Sequence, residues 1–267
     1  MKFEHTNVSN LEGALMGMRN PLASWARSDS GFGISKYDDM EDYDIAKAWA
    51  TKLYPDLDQD SEEYFKKEDA LAAWLRNEGI IKNSENYSYV EYAFIGPNDM
   101  DLAMRLCAGG AEHRKFLRQI QVCFDITAPL YFFKEFDTYK VGTVANSTST
   151  MHKLASTPIT MECFELDDYA ELDEDFKYEI DKLIEFLEDL RQKYNETKDK
   201  RYWKELVRWL PEGWLQTRTV TMNYENVRTI CNQRQGHKLS EWNSFVSWAK
   251  TLPYADQLIF GQPVEIK

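Results

Sequence analysis

The chain has 267 residues, of which 43% are hydrophobic and 14% aromatic, enough to bury a substantial core and unlike a disordered chain. Its formal net charge of −13 excludes a general nucleic-acid or anionic-membrane binder, because nonspecific phosphate binding needs a basic footprint; a local basic pocket for a small phosphate ester stays compatible with it. The four cysteines, Cys107, Cys123, Cys163 and Cys231, form no Cys-x-x-Cys pair, so no zinc site is expected, and they read as small buried hydrophobes in a reducing cytoplasm. The N-terminal stretch has no cationic start followed by an apolar core, and no apolar run approaches ~18 residues. A cytoplasmic protein with no membrane contact is the expectation.

In chain order, Asn10 to Met18 predicts a short helix with Leu11, Leu15 and Met18 at helical spacing and Ser9 or Asn10 as its cap. Asn20-Pro21 and a Ser/Gly-rich turn break it. Met40 to Leu53 predicts a helix through Ile45, Trp49 and Leu53, and Lys67 to Asn77 another through Leu71, Trp74 and Leu75. Tyr87 to Gly96 alternates and is rich in aromatics, so it predicts a strand. Asp99 is expected to cap a helix running to the Gly109-Gly110 stop, with Leu102, Met104 and Leu106 apolar. Leu117 to Pro129 alternates through Ile120, Val122, Phe124 and Ile126, a half-buried strand ended by Pro129, and the following "LYFFKEFDTY" predicts a helix. Glu165 to Glu196 reads as a long acidic amphipathic helix, paired in a hairpin with Lys198 to Leu210; its acids are most simply a solvated face. Thr217 to Thr221 is β-branched, a helix begins near Asn223, and Leu239 to Leu252 forms a last helix with Trp242, Phe245 and Trp248 as its apolar stripe. The mixture is α+β and helix-dominated.

The familiar catalytic patterns are missing: no Gly-rich phosphate loop, no His-Glu-x-x-His, no Gly-x-Ser-x-Gly elbow, and four scattered histidines. Two local features stand out. The run Lys134 to Lys153 gathers Lys134, Thr138, Lys140, Thr143, Asn146, Ser147 and Ser149. It reads either as a loop that cradles a phosphate or a flavin edge through hydroxyl and amide contacts, or as a hydroxyl-rich loop that caps neighbouring helices. Asn223, Arg228 and Arg234 lie along one helix, where Arg234 is placed to fork onto a carbonyl pair or a carboxylate, or else to pair with an acidic neighbour on the surface.

Over roughly Asp99 to Leu258 the order of segments resembles the flavin-dependent thymidylate synthases. His113 stands sixteen residues before Pro129, as that family's Gly-His histidine does, and "DITAP" matches its strand end. "KEFDTYK" falls where the family's Arg-His-Arg signature would fall. Leu210-Pro211 precedes Asn223 by the family's spacing, Asn223 precedes Arg234 by eleven residues, and Trp242 sits near the family's last tryptophan. The departures are as specific. Arg-His-Arg reads Thr138-Tyr139-Lys140, and the first signature serine is Thr143. Asn146 and Ser149 match with one residue inserted, and an arginine expected at the nucleotide phosphate becomes Met151. The arginine before Leu-Pro falls on Val207, with Arg208 one place off, the arginine two residues after Asn223 is Glu225, and a glutamate of the Gly-His segment maps onto Arg118.

The resemblance implies a single domain over residues 1–267, with a central, mainly antiparallel sheet surrounded by helices and helical insertions at about 36–82 and 165–202. It implies a homotetramer using FAD, with NADPH and methylene-tetrahydrofolate as co-substrates, that methylates or otherwise modifies C5 of a deoxyuridine nucleotide such as dUMP. In that reading Arg234 polarises the pyrimidine carbonyls and Ser149 lies near the base. His113, Thr138, Tyr139, Lys140, Asn146 and Asn223 contact the flavin. Lys134, Glu135, Thr143, Ser147, Arg208 and Arg234 contact the substrate, with Lys140 and Arg208 standing in at the phosphates. The alternative is a catalytically degenerate relative that binds a nucleotide, or a protein partner through its acidic helical insertion.

Overall fold

The computed structural model describes residues 1–36, 46–47, 50–51, 54–77 and 89–262. The elements run β1 (Lys2–Ser9), α1 (Leu11–Arg19), β2 (Gly31–Lys36), α2 (Glu62–Asn77), β3 (Tyr89–Phe94), α3 (Pro97–Ala108), β4 (Gln121–Pro129), α4 (Leu130–Phe136), β5 (Val144–Ser147), α5 (Thr150–Lys153), α6 (Glu174–Thr197), α7 (Lys200–Trp209), β6 (Leu215–Asn223), α8 (Tyr224–Arg234), α9 (Ser240–Ala249) and α10 (Ala255–Leu258). Two sheets form, one of four strands in the order β1-β4-β6-β5 and one pairing β2 with β3. The architecture is the expected α+β one. The helix predicted over Met40 to Leu53 lies outside the described residues apart from 46–47 and 50–51, which are helical.

The chain divides into two compact units. The first comprises Met1–Asn7 and Cys123–Thr221, the second Val8–Val122 and Met222–Lys267. In unit 1, β4 alternates as the sequence predicts, with Phe124, Ile126 and Ala128 fully buried on one face, and Phe3 packs against Phe124. On the other face Thr127 bonds Thr217 at 2.7 Å. Asp125 accepts from Thr219 and bonds the His5 ring at 2.8 Å. After Pro129 the chain turns into α4, whose Phe132, Phe133 and Phe136 are all buried. The hairpin α6–α7 closes over a small core of its own, in which Ile184, Leu187 and Leu206 meet Leu154, Ile159 and Phe164.

Two helices start well away from where the sequence predicts. The acidic helix begins at Glu174 rather than Glu165, because the chain before it is taken up in pairing: Phe164 bridges Trp214 and Glu165 N–H donates to Gly213 C=O at 2.8 Å. The helix expected from Lys67 begins at Glu62, where Ser61 Oγ accepts from Tyr64 N–H at 3.1 Å and caps the first turn. Strands β1, β2 and β5 were not anticipated. The segment Val144–Ser147, read as a loop, is an edge strand antiparallel to β6, with Asn146 opposite Thr219 and Ser147 opposite Arg218.

In unit 2 the surprise is Asp99. It does not cap α3. The cap position is Gly96, followed by Pro97, and the free N–H groups of Asn98 and Asp99 donate to the Asp29 carboxylate at 2.9 and 3.1 Å. Gly96 is needed there, since a Cβ would lie 2.3 Å from that carboxylate. Asp99 itself is fully buried and pairs with buried Arg19, while Ser28 and Ser30 donate to its second oxygen. Consequently α3 is turned relative to the predicted stripe: Met100, Ala103 and Cys107 are buried, and Leu102, Met104 and Leu106 only half-buried. The Trp242, Phe245, Trp248 stripe of α9 is buried as expected.

Candidate functional site

The residues expected to form one site are distributed over both units, and each group has its own local chemistry.

In unit 2 the chain leaves α3 through Gly109 and Gly110, the latter at φ 112°, a conformation that glycine adopts without a Cβ clash. His113 N–H and Arg114 N–H both donate back to Gly110 C=O at 3.1 Å. The turn lays the His113 imidazole against the helix end, where a Cβ on Gly109 would stand 3.1 Å from the ring. His113 is half-exposed, with Nε2 3.6 Å from Glu112, and lies on the rim of a cleft of about 490 Å³. The cleft's apolar lining comes from Met18, Leu22, Leu102, Leu106 and Phe116. Volumes of this order suit small ligands. His113, Lys115 and Gln119 are among the cleft's polar lining residues.

Asn223 is buried and caps α8, its Oδ1 accepting from Asn226 N–H at 3.0 Å. Arg234 lies at the far end of that helix, about 16 Å away at 1.5 Å per residue. Its guanidinium sits 4.7 Å from the Trp242 ring centre and 3.2 Å from His237 Nε2, a cation–π contact backed by a second partner. Arg228, between them, donates to the Leu258 and Ile259 carbonyls at 3.1 and 2.8 Å and so finishes α10. Glu225, standing where the resemblance would place an arginine, is buried and receives a forked bond from Arg114 at 3.0–3.2 Å; the carboxylate beside it raises the Arg114 pKa. Burial pushes the Cys107 and Cys231 thiols up to about 11 and 12, which makes them packing residues rather than nucleophiles.

In unit 1 the run from Lys134 divides between helix, turn and edge strand. Lys134 pairs with Glu212 at 2.8 Å. Thr138 Oγ1 donates to Glu135 C=O at 2.7 Å, and Tyr139 N–H donates to Phe136 C=O at 3.0 Å, so both close the end of α4. Lys140 is exposed, its carbonyl accepting from Thr143 N–H. Asn146 and Ser147 are exposed on β5. Ser149 caps α5, accepting from His152 N–H at 3.3 Å. Arg208 pairs with Glu205 at 2.5 Å. The helix-capping reading therefore describes Thr138 and Ser149, while Lys140, Asn146 and Ser147 present their side chains to solvent.

Sequence reasoning missed Arg218. Its side chain, 14% exposed, bonds Asp137 at 2.6 Å and Gln216 at 2.9 Å, and its guanidinium lies 3.8 Å from the centre of the Phe133 ring. It thereby ties β6 to the turn after α4. The only signal in sequence is a single arginine inside the β-branched "TRTVT".

Among the described residues no group of three or more His, Cys, Asp or Glu side chains could hold a metal ion, and no helix is long and apolar enough to cross a membrane.

The chain has the fold of the flavin-dependent thymidylate synthases. Two crystal structures of ThyX from Helicobacter pylori with FAD and dUMP superpose on the chain. One has a TM-score of 0.56 and 14% identity over 97% of this chain and 98% of the other; the second has 0.56 and 15% over 97% of each. No protein-family model and no curated protein matches the sequence.

Proposed function

We propose that the chain binds a flavin and a deoxyuridine nucleotide and modifies C5 of the pyrimidine, using NADPH and methylene-tetrahydrofolate as co-substrates. The observation that carries this reading is the fold match over nearly the whole chain to a protein crystallised with FAD and dUMP. The retention of His113, Asn223 and Arg234 at the resembling positions accompanies it. A flavin supplies the hydride and one-carbon chemistry when bound, and the protein orients it. His113 on the cleft rim would hold one ring system, with Thr138, Tyr139, Asn146 and Asn223 as further flavin contacts. Arg234 would donate to the pyrimidine carbonyls, its cation already held over Trp242. Ser149 would lie near the base; Glu135, Thr143 and Ser147 would contact the nucleotide, and Lys134, Lys140 and Arg208 its phosphate. A homotetramer is part of the same reading.

A specific observation favours a second reading, a relative that binds ligand without the reaction. Two of the three cations assigned to the phosphate, Lys134 and Arg208, are each paired with a glutamate, and lysine replaces a bidentate arginine poorly. Freshly purified protein separates the readings. Flavin absorption bands, a melting shift with dUMP and dTMP formation support the first; flavin or dUMP binding without product supports the second. A colourless protein whose melting neither FAD nor dUMP shifts sinks both.

A further inference from the structure

Arg218 is held on three sides and has one nitrogen to spare. Its guanidinium lies over the Phe133 ring. Nε donates to Gln216 Oε1 at 2.9 Å and Nη1 to Asp137 Oδ1 at 2.6 Å, while Nη2 has no protein partner among the described residues. Gln216 is itself buried, and its Nε2 donates to Thr148 C=O at 3.0 Å and to Thr150 Oγ1 at 3.4 Å. The guanidinium is therefore locked to the start of α5 as well as to the turn at Asp137. A planar fork fixed in this way gives up little freedom when it meets a ligand oxygen, and its partial exposure leaves Nη2 within a ligand's reach.

The neighbouring strand adds donors. Ser147 stands opposite Arg218 across the β5–β6 pair, so the two side chains leave one face of the sheet about 5 Å apart at Cβ, and Ser147 is exposed. Thr148 N–H donates to Thr217 C=O at 2.8 Å, toward β6; the N–H of Ser147, one residue earlier on this edge strand, therefore points away from the sheet. Arg218 Nη2, the Ser147 hydroxyl and an edge amide thus gather beside one acceptor, the Asp137 carboxylate, which Nη1 already occupies. A positive, donor-rich set of this kind suits the oxygens of a phosphate monoester. Ser149 follows Ser147 by two residues, about 6.6 Å at the rise of a strand, a distance comparable to the span from phosphate to base in one nucleotide. Resting on the nucleotide reading above, we propose that Arg218 is the fixed phosphate contact of the pyrimidine nucleotide, with Nη2 and the Ser147 hydroxyl on the phosphate oxygens and the base toward Ser149. Lys134, Lys140 and Arg208, all exposed, add charge around that contact without a fixed geometry.

Calorimetric titration of the full chain in the presence of FAD, with dUMP and with deoxyuridine, tests the contact, because the ratio of the two affinities isolates the phosphate. Arg218→Gln should lower dUMP affinity by about tenfold or more and leave deoxyuridine affinity within about twofold. A purely structural arginine would weaken both alike. Asp137→Asn, changed at an exposed residue, should raise the preference for dUMP by about threefold, because it frees the guanidinium charge; this variant decides alone where Arg218→Gln fails to fold. A dUMP preference that Arg218→Gln leaves intact overturns the role of Arg218 and leaves the nucleotide reading standing, and so does one that Asp137→Asn fails to raise. Equal wild-type affinity for dUMP and deoxyuridine overturns it too. A wild-type chain that binds neither sinks the nucleotide reading and this inference with it. Titration with FAD and riboflavin separates the other phosphate source: an Arg218→Gln chain that loses its preference for FAD over riboflavin and keeps its preference for dUMP overturns the assignment to the nucleotide.

Discussion

The two units differ in where their most deeply buried charges lie. Unit 2 takes charge inside: Arg19 with Asp99, Arg114 with Glu225, the Asp29 carboxylate at the start of α3, the Arg228 guanidinium at the end of α10. In unit 1 Lys134, Asn146, Ser147 and Lys182 stay outside, and the ion pairs Arg191–Glu188 and Arg218–Asp137 are only partly buried. His113, Asn223 and Arg234 belong to unit 2, where Asn223 caps a helix and Arg234 stacks on a core tryptophan. The signature segment belongs to unit 1, where side chains such as Lys140, Asn146 and Ser147 face solvent and can change without cost to the core.

The contrast is broken most severely at Asp99. Replacing it with alanine leaves Arg19 charged and buried without its partner, which costs roughly 3–5 kcal/mol. Urea denaturation of Asp99→Ala should show that loss; a change within 1 kcal/mol would mean that water or Ser24 replaces the carboxylate. In unit 1 the corresponding blow is apolar. Leu187 is fully buried in the hairpin core, and Leu187→Ala should cost about 2–4 kcal/mol, seen as earlier proteolysis within residues 154–210 than elsewhere.

The hairpin also carries a pH handle. Glu188 is held at about 2, below the usual 4.5, first by the bonds from Arg191 and then, against some burial, by those from Ile159 N–H and Gln192. A carboxylate with a depressed folded pKa adds stability above its unfolded value and loses it as pH falls toward the folded one. Protection of the α6 amides relative to the intrinsic exchange rate at each pH should therefore fall between pH 4.5 and 2, and Glu188→Gln should flatten that response. Asn223→Ala removes a helix cap, worth about 1 kcal/mol. If Asn223 also touches flavin, the variant loses FAD affinity out of proportion to its melting shift; proportionate losses would leave it a cap alone.

What could be read from sequence follows the same division. Elements defined by their own pattern were legible: the alternation of β4, the α9 stripe, the Gly109-Gly110 stop, the helix start near Asn223. Long-range polar partners were not. Asp99 has the local look of a cap, and only its contact with Arg19, 80 residues away, reveals a buried ion. Arg218 meets Asp137 across 81 residues. Strand β5 escaped for a different reason: all four of its residues are exposed, so no face is buried to impose a period of two. Of the candidate site, the residues fixed by chain-local geometry, Ser149 and Thr138 among them, were legible as possible caps; the partners of Lys134 and Arg208 required the fold.

The smallest structural effect is the most telling about function. Lys134–Glu212 is an exposed pair, 68% and 51% accessible, and such pairs contribute about 0–1 kcal/mol. Glu212→Gln should therefore leave melting nearly unchanged. It would, however, release Lys134, and a lysine that serves a phosphate should then bind it better. Calorimetric titration with dUMP should show tighter binding in Glu212→Gln and weaker binding in Lys134→Ala, both effects shrinking as salt screens the charges. If dUMP affinity is the same in both variants, Lys134 belongs to the surface of unit 1 and not to a nucleotide site, and the burden of holding the phosphate shifts to Lys140 and Arg208.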